Sequence, residues 1–237
     1  MQSTNLTSSL RQLFYRLPIS WRFHIDCVFH PPRHLNGQVG RERIVRDLMR
    51  QFRFDAVVET GTFRAGSTKF FASEFNLPVY SVERNEVIDE YAKLVMRRFA
   101  STTHLSLGDS RVFLRRLAAD PSLTNKLMFF YLDAHWDDDL PLREEVSIIR
   151  SAWEGAVVMT DDFRVPDDDG YTFDDYGPSK RLDLSLLQPL NSLRVEVFFP
   201  RMPSSEETGG RRGCVVLADP KSAENCTMQS LRRFASA

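Results

Sequence analysis

The sequence has few cysteines and almost no net charge. Its three cysteines, Cys27, Cys214 and Cys226, lie far apart in a chain of 237 residues. An odd number at such spacings forms neither a disulfide framework nor a zinc-binding motif, so a reducing cytoplasm is the expected location. Lys and Arg number 31 and Asp and Glu 32, which gives a formal net charge of −1. This balance offers no general attraction to nucleic acid or to an anionic membrane.

Long apolar runs are also missing. No stretch approaches the ~20 apolar residues of a membrane span. Near the N-terminus, arginines interrupt the apolar residues at positions 11, 16 and 22. A secretory signal peptide needs a continuous apolar core, so none is predicted. The protein is therefore expected to be soluble, without a membrane partner.

Length and composition predict one main domain preceded by a short appendage. Hydrophobic residues make up 42% of the chain and charged residues 27%, as in ordinary globular proteins. Residues 1–35 differ from the rest because they mix aromatic residues with arginines, whereas residues 36–237 form the main domain. The appendage could cover a site, pair two subunits in a homodimer, or pack on the main domain. Packing is the favoured interpretation for an aromatic segment.

The main domain is organised around residues 55–68, DAVVETGTFRAGST. The short apolar run predicts a strand that is buried on both faces of a parallel sheet and ends at Glu59. Gly61 and Gly66 bracket a tight turn, since glycine permits a positive φ and the close approach of a ligand. A helix is predicted to begin at Ser67.

Three kinds of ligand fit such a turn. A dinucleotide turn has the pattern G-x-G-x-x-G, but Phe63 stands where the second glycine would fall. A phosphate loop has the pattern G-x-x-x-x-G-K-[ST], and here Ser67 replaces the lysine that neutralises the phosphates. The third pattern, E-x-G-x(4)-G from Glu59 to Gly66, resembles motif I of class I S-adenosylmethionine (SAM) methyltransferases, whose cationic ligand suits an acidic residue. A structural turn without a ligand is the remaining interpretation.

This resemblance implies a set of SAM-binding residues. They are Glu59, Thr60, Gly61, Gly66 and Ser67 in the turn, and Glu83, Asp109 and Ser110 at the ends of the next two strands. Glu83 lies 22 residues beyond Gly61, where doubly wound folds place an acidic residue that binds ribose hydroxyls. In the resembled family an acidic residue at the place of Asp109 contacts the adenine amino group, although Asp109 could equally cap the following helix.

Strand and helix patterns alternate five times. Strands are predicted at residues 56–59, 78–82, 103–107, 127–132 and 156–159. A helix over residues 39–52 precedes them and is expected to expose its arginines, Arg41 among them. Such alternation predicts an α/β, doubly wound, Rossmann-like fold with a parallel sheet. Residues 193–199 and 213–217 predict a terminal hairpin. The methyltransferase resemblance covers residues 38–219 and implies a seven-stranded, mostly parallel sheet with a C-terminal antiparallel hairpin.

Acidic side chains follow the fourth and fifth predicted strands. Asp133 follows the fourth strand, and Asp161 and Asp162 follow the fifth. These strands are neighbours in the resembled fold, so the carboxylates should converge and repel one another unless a cation joins them. A hard divalent ion such as Mg²⁺ prefers oxygen ligands of this kind. The alternative interpretation is that the three aspartates are ordinary turn residues or helix caps.

The segment LDAHWDD, residues 132–138, and the Asp161-Asp162 pair resemble the metal-dependent O-methyltransferases of the catechol and antibiotic-sugar type. The resemblance implies methyl transfer from SAM to a hydroxyl of a small molecule, such as a vicinal diol, a sugar or a catechol. It also implies that Mg²⁺ or another divalent cation is bound by Asp133, Asp161 and Asp162, with Asp133 taking part in catalysis.

The general base differs from that of the catechol enzyme. The catechol enzyme has a lysine three residues after its aspartate, whereas this chain has Trp136 and Asp137 in that region. His135 is then the nearest candidate base.

Residues Phe163 to Lys180 predict a mobile lid over the acceptor. They are too polar and too rich in glycine to form a core element, and Tyr171 and Tyr176 could contact a sugar or an aromatic ring. A solvated loop with incidental aromatic residues is the alternative. The acidity of this loop argues against a nucleic-acid substrate.

Two other functions remain open at this point. The first is a phosphate- or nucleotide-binding protein that uses the degenerate phosphate loop. The second is a metal-dependent oxygenase-like protein or a non-catalytic relative on the same scaffold, because a fold does not by itself determine a function. An iron site with two histidines and one carboxylate would need a second histidine beside His135.

Overall fold

A computed structural model describes residues 32–135, 139–187, 195–224 and 227–234, together with a few single positions between 18 and 29. The chain divides into two compact units, Met1–Pro32 and Arg33–Ala237. The predicted appendage lies mostly outside the described residues, so its role stays a prediction. All elements below belong to the second unit.

Strands and helices alternate through most of this unit. The strands are β1 (Ala56–Thr60), β2 (Val79–Glu83), β3 (Thr103–Leu107), β4 (Met128–Leu132), β5 (Val157–Asp161), β6 (Glu196–Pro200), β7 (Cys214–Ala218) and β8 (Leu231–Arg233). The helices are α1 (Val39–Gln51), α2 (Gly66–Glu74), α3 (Glu86–Met96), α4 (Ser110–Ala118), α5 (Leu142–Ala152), α6 (Leu184–Leu187) and α7 (Pro220–Glu224).

The eight strands form one sheet in the order β3-β2-β1-β4-β5-β7-β6-β8. The first five strands in this order are parallel, and β7, β6 and β8 each run antiparallel to the strand before them. Thr60 lies opposite Leu132, and Leu132 lies opposite Thr160, so β1, β4 and β5 end at the same level. The residues that follow these strands therefore meet at one edge of the sheet.

Alternate side chains of the central strands fill two separate cores. In β4, Phe129 and Tyr131 pack with α1, α2 and α3, whereas Met128, Phe130 and Leu132 pack with α4 and α5. Every residue of β1, β4 and β5 is buried. Because both faces of these strands are covered, their sequences are nearly continuous apolar runs.

The predicted α/β fold with a mostly parallel sheet and a C-terminal hairpin is confirmed, but the sheet has eight strands and not seven. The additional strand, β8, pairs with β6, with Phe198 opposite Arg233. A strand of three residues is too short to show a period of two, so the sequence pattern did not reveal it. Within the described part of the chain, no helix combines the length and apolar character that a bilayer crossing needs.

Candidate active site

The glycine turn after β1 touches the end of β4. Gly61 has a φ of +91°, and a Cβ atom there would overlap the backbone oxygen of Asp133. Only glycine fits both the backbone conformation and the space. Phe63 and Ala65 in the same turn also have positive φ angles, of 46° and 57°. Two non-glycine residues in this region indicate a turn held by its surroundings.

Glu59 lies beneath this turn. Its Oε2 accepts hydrogen bonds from the hydroxyls of Thr68, at 2.5 Å, and Ser81, at 2.6 Å. Burial raises the pKa of Glu59 to about 7, although the two hydroxyls oppose the rise. The carboxyl group thus links β1 to α2 and β2. Glu59 would therefore act on a ligand bound at the turn indirectly, by holding the turn in place.

Residues 33–35 cover the N-terminus of α2. Leu35 donates its backbone N–H to the Ser67 hydroxyl at 3.1 Å. A Cβ atom at Gly66 would lie 3.0 Å from the backbone oxygen of Arg33. Gly66 and Ser67, which were predicted to bind the ligand, are therefore in contact with residues 33–35.

Glu83 is placed where the spacing predicted, at the end of β2. Its two carboxylate oxygens accept backbone N–H groups of Phe63, at 2.9 Å, and Asn85, at 2.8 Å. The residue is 9% exposed. It therefore ties the glycine turn to the start of α3, and each oxygen keeps a second lone pair for a further donor.

Asp109 caps α4, and its predicted contact with an adenine amino group stays a prediction. Its carboxylate accepts the backbone N–H groups of Arg111 and Val112 and pairs with the Arg111 guanidinium at 2.5 Å. The hydrogen bonds from Arg111 lower the pKa of Asp109 to about 2. Ser110, the first residue of α4, is buried.

A buried carboxyl group that we did not predict lies beside Thr60 and Ser110. Glu145 in the first turn of α5 has no exposed surface, and burial raises its pKa to about 7. The two hydroxyls partly offset this rise, yet neither carboxyl oxygen has a well-formed hydrogen bond to a described residue. Glu145 shares a helix face with Leu142 and Ile149, and that spacing is the sequence signal that would have placed it inside.

The buried Glu145 should make stability fall as pH rises. A carboxyl with a pKa near 7 when folded and near 4.5 when unfolded binds its proton more tightly in the folded state. Its stabilising contribution is complete below pH 4.5 and is lost as pH rises to 7, at about 1.4 kcal/mol per pH unit and about 3 kcal/mol in all. Urea unfolding between pH 4.5 and 8 should therefore show a shallower decline for Glu145→Gln than for the wild type.

The matched control for this experiment is Glu144→Gln, which changes an exposed carboxylate one residue away. This variant tests whether loss of any carboxylate from α5 alters the slope. Identical pH slopes for the wild type and Glu145→Gln would show that Glu145 does not bind a proton on folding.

Three side chains that could hold a cation converge at the ends of β4 and β5. Potential ligand atoms of Asp133, His135 and Asp162 all lie within 4.8 Å of one another. The Asp133 side chain is 35% exposed, whereas the His135 side chain is fully buried. His135 Nε2 lies 3.8 Å from Asp133 Oδ1, and neither ring nitrogen has a well-formed hydrogen bond to a described residue, although the backbone oxygen of Asp161 lies near the ring.

Burial and neighbouring negative charges shift the pKa values of all three side chains. Burial and the negative charges of Asp161 and Asp162 raise the pKa of Asp133 well above its usual value. Burial and the charge of Asp161 also raise the pKa of Asp162. For His135, burial lowers the pKa, so the neutral imidazole is favoured. A neutral imidazole beside two carboxyl groups offers lone pairs to a cation.

Asp161, the third predicted ligand, belongs to a different network. Its carboxylate pairs with the Arg41 guanidinium and accepts the Tyr131 hydroxyl at 2.5 Å, the Asn36 amide at 3.2 Å and the backbone N–H of Asp162 at 2.7 Å. The structure therefore places His135, and not Asp161, with Asp133 and Asp162.

The expectation that Arg41 is exposed is wrong. Arg41 and Asp161 are each 1% exposed, and the Arg41 guanidinium also donates to the backbone oxygens of Arg212 and Gly213. The helical pattern of α1 could not show this, because the partners of Arg41 lie more than a hundred residues further along the chain.

Arg212 holds Asp162 in place. Its guanidinium donates to Asp162 Oδ1 at 2.6 Å and also pairs with Asp174. Asp162 has a φ of 55° and accepts the Asp174 backbone N–H at 2.9 Å. No sequence motif indicated Arg212, because a lone arginine in a loop carries no spacing signal.

The loop predicted to be a lid is packed into the second core. Phe163, Val165 and Tyr171 are buried there, and the Tyr171 hydroxyl donates to the backbone oxygen of Met202 at 2.9 Å. The expectation that this loop lacks core residues is wrong. Tyr176 is 36% exposed and donates its hydroxyl to Asp174 at 2.7 Å. Of the two predicted aromatic contacts, only Tyr176 reaches the surface.

The sequence matches no protein-family model, and no curated protein is significantly similar to it. Several solved structures are similar in fold. An O-methyltransferase from Bacillus cereus in complex with SAH is 14% identical, with 92% of this chain and 93% of that chain covered, at a TM-score of 0.56. The O-methyltransferase TomG from Streptomyces achromogenes, involved in tomaymycin synthesis and solved with SAM, is 15% identical. The match covers 92% of this chain and 99% of that chain, at a TM-score of 0.57. The SAH-bound methyltransferase PaMTH1 from Podospora anserina is 12% identical, with 92% of this chain and 97% of that chain covered, at a TM-score of 0.56.

Proposed function

We propose that this chain, which has the fold of the class I SAM methyltransferases, transfers a methyl group from SAM to a hydroxyl of a small molecule with the help of a bound divalent cation. One observation carries the proposal. The glycine turn at Gly61 directly contacts the backbone of Asp133. Asp133 is one of the three potential cation ligands, together with His135 and Asp162. A cofactor at the turn and an acceptor at the group would thus be neighbours.

The cofactor half of the site suits an adenosyl ligand. Glu83 presents two carboxylate oxygens, each with one backbone donor already in place. Two adjacent ribose hydroxyls can each donate to one of the remaining lone pairs. A hydrogen bond from the Thr68 hydroxyl to the Glu59 carboxylate joins the two ends of the turn. These contacts pre-arrange the turn, so that binding need not order it.

The acceptor half of the site suits a cation. Asp133, His135 and Asp162 supply lone pairs at spacings that one ion can span, and the buried nitrogens of His135 lack a well-formed hydrogen bond to a described residue. A bound dication would draw in an acceptor hydroxyl and lower its pKa. Asp133 is the most exposed member of the three, so the acceptor would approach from its side.

The reaction that these two halves serve is a substitution at carbon. The acceptor oxygen forms a bond to the methyl carbon while the bond from that carbon to the cationic sulfur breaks. The hydroxyl gives its proton to solvent water, and SAH leaves as a neutral sulfide. Such a reaction gains most from holding its two reactants in line and in contact. The close approach of the Gly61 turn to the Asp133 backbone would fix the distance between the two proposed binding regions.

The alternative functions fit the geometry less well. A phosphate would sit at the N-terminus of α2. That position is taken by residues 33–35, through the contacts of Leu35 with Ser67 and of Arg33 with Gly66. The cation group contains one histidine and two carboxylates, which is not the two-histidine set of the oxygenases.

Calorimetric titration with SAM tests the proposed function. Glu83→Ala removes two charge-assisted hydrogen bonds to the ribose, each worth about 1.5–3 kcal/mol, so SAM should bind at least about tenfold more weakly. Glu83→Gln keeps one acceptor oxygen and should fall between the wild type and Glu83→Ala.

A matched control for this titration is Glu90→Ala, which removes an exposed carboxylate from α3. Its SAM affinity should equal that of the wild type. Equal affinities for the wild type and Glu83→Ala would remove Glu83 from the cofactor site, and no heat of binding with the wild type would exclude SAM altogether.

A further inference from the structure

We infer that His135 completes the cation site together with Asp133 and Asp162, and that its imidazole makes the site prefer a first-row transition dication to Mg²⁺. This inference rests on the proposed function, because it names the class of ion that the proposed site takes. It also assigns His135 a direct bond to the ion in place of the role of general base that the sequence suggested.

The spacing of the three side chains fits one ion. First-row dications bind nitrogen and oxygen ligands at about 2.0–2.2 Å, so two ligands on opposite sides of a six-coordinate ion lie up to about 4.4 Å apart. The candidate atoms of Asp133, His135 and Asp162 lie within 4.8 Å of one another. His135 Nε2 and Asp133 Oδ1 are separated by 3.8 Å, which already falls in the range of two ligands on one ion. Side-chain rotations that move these atoms by roughly a few tenths of an ångström would bring all three within reach of one ion.

The poorly satisfied ring of His135 is the second observation. Its side chain is fully buried, and neither ring nitrogen has a well-formed hydrogen bond to a described residue, although the backbone oxygen of Asp161 lies near the ring. Buried polar atoms nearly always have a partner, so each exception calls for an explanation. A cation between His135, Asp133 and Asp162 supplies one, because it accepts a ring lone pair at the place where the carboxylates converge.

Asp161 is prevented from taking this position. Its carboxylate already serves the guanidinium of Arg41, the hydroxyl of Tyr131 and the amide of Asn36. Moving it to a cation would leave the buried Arg41 guanidinium without its counter-charge. The ligand set is therefore one imidazole and two carboxylates.

This ligand set determines the preferred ion. Mg²⁺ favours oxygen ligands and keeps much of its water, whereas imidazole suits zinc, iron, nickel and copper ions. Replacing one carboxylate of an all-oxygen site by His135 therefore shifts the preference away from Mg²⁺. Co²⁺ is a suitable probe, because it accepts both nitrogen and oxygen ligands and reports their identity in its visible spectrum.

The test is metal titration of the full-length, metal-free protein without SAM. Calorimetry should show one Co²⁺ per chain, bound at least about 100-fold more tightly than Mg²⁺. Losing a residue that merely hydrogen-bonds a ligand already costs about 10- to 100-fold in metal affinity. His135→Ala should therefore weaken Co²⁺ binding by at least about tenfold and reduce the preference over Mg²⁺.

Two further variants make the assignment specific. His104→Ala removes an exposed histidine of β3 and should leave Co²⁺ affinity unchanged. His135→Cys should keep Co²⁺ and add a sulfur-to-cobalt charge-transfer band in the near ultraviolet, which arises only from direct coordination. The selectivity of the wild type needs no variant, so the inference stays testable if a substitution at this buried position prevents folding.

Comparable affinities of the wild type for Co²⁺ and Mg²⁺, or no binding of either ion, would overturn the inference. Unchanged Co²⁺ binding by a folded His135→Ala would overturn it as well. The SAM titration separates this result from the proposed function. SAM binding without Co²⁺ selectivity refutes only the imidazole ligand, whereas Co²⁺ selectivity without SAM binding refutes the methyltransferase.

Discussion

Replacement of Asp133 by asparagine should lower the rate of methyl transfer at least about 100-fold while leaving SAM affinity nearly unchanged. Removal of one group that stabilises developing charge typically costs about 100- to 1,000-fold in kcat. Asp133 is the most exposed side chain of the cation group, whereas the predicted ribose contact, Glu83, lies at the end of β2. The measurement is SAH formation with a panel of vicinal diols, sugars and catechols, beside calorimetry with SAM.

The matched control for Asp133→Asn is Asp175→Asn. Asp175 pairs with Arg181 at the surface of the loop that follows β5, outside the cation group. Its replacement should leave turnover close to that of the wild type. Treatment of the wild type with EDTA should reproduce the loss seen in Asp133→Asn, and divalent ions should restore activity. Turnover that persists in EDTA would contradict the proposed role of a cation.

Replacement of Asp161 by asparagine should lower the free energy of unfolding by about 3–5 kcal/mol, the usual cost of breaking a buried ion pair. Asp161 and Arg41 are each 1% exposed, so the guanidinium cannot regain water when its counter-charge is removed. Asparagine keeps the shape and can still accept the Tyr131 hydroxyl on its one remaining oxygen. Its NH2 group then faces the Arg41 guanidinium and the backbone N–H of Asp162, so the change removes an acceptor as well as the charge. Urea unfolding monitored by circular dichroism measures the effect.

A double variant tests whether the loss comes from an unpaired charge. Arg41→Met combined with Asp161→Asn removes both charges and should regain part of the stability lost in Asp161→Asn alone. Lys126→Met breaks the exposed Lys126–Asp55 pair, whose side chains are 48% and 42% exposed. This control should cost at most about 1 kcal/mol. An equally small cost for Asp161→Asn would show that Asp161 does not compensate a buried charge.

The sequence by itself determined the order and the approximate limits of the first five strands. The run at residues 103–107 coincides with β3, and the run at 127–132 is one residue longer than β4. A parallel strand that is covered on both faces must be apolar at nearly every position, so its limits can be recognised without a structure. The glycine pattern placed the turn at Gly61 for a similar reason, because only glycine fits there.

The sequence also predicted which segments meet at the site, but not which of their side chains form the cation group. Asp133, His135 and Asp162 follow the neighbouring strands β4 and β5, as predicted, and Asp161 is the last residue of β5. A position at the end of a strand does not say where the side chain points. That direction depends on partners from distant parts of the chain, such as Arg41 for Asp161 and Arg212 for Asp162.

Tertiary structure alone decided which polar groups are buried and which partners they meet there. Arg41 lies inside because Asp161 and the backbone oxygens of Arg212 and Gly213 meet it there. Tyr171 is buried because its loop folds back on the second core, and its hydroxyl reaches Met202. Local patterns record how often a residue is apolar, whereas the burial of a charge depends on whether a compensating group arrives from elsewhere in the chain.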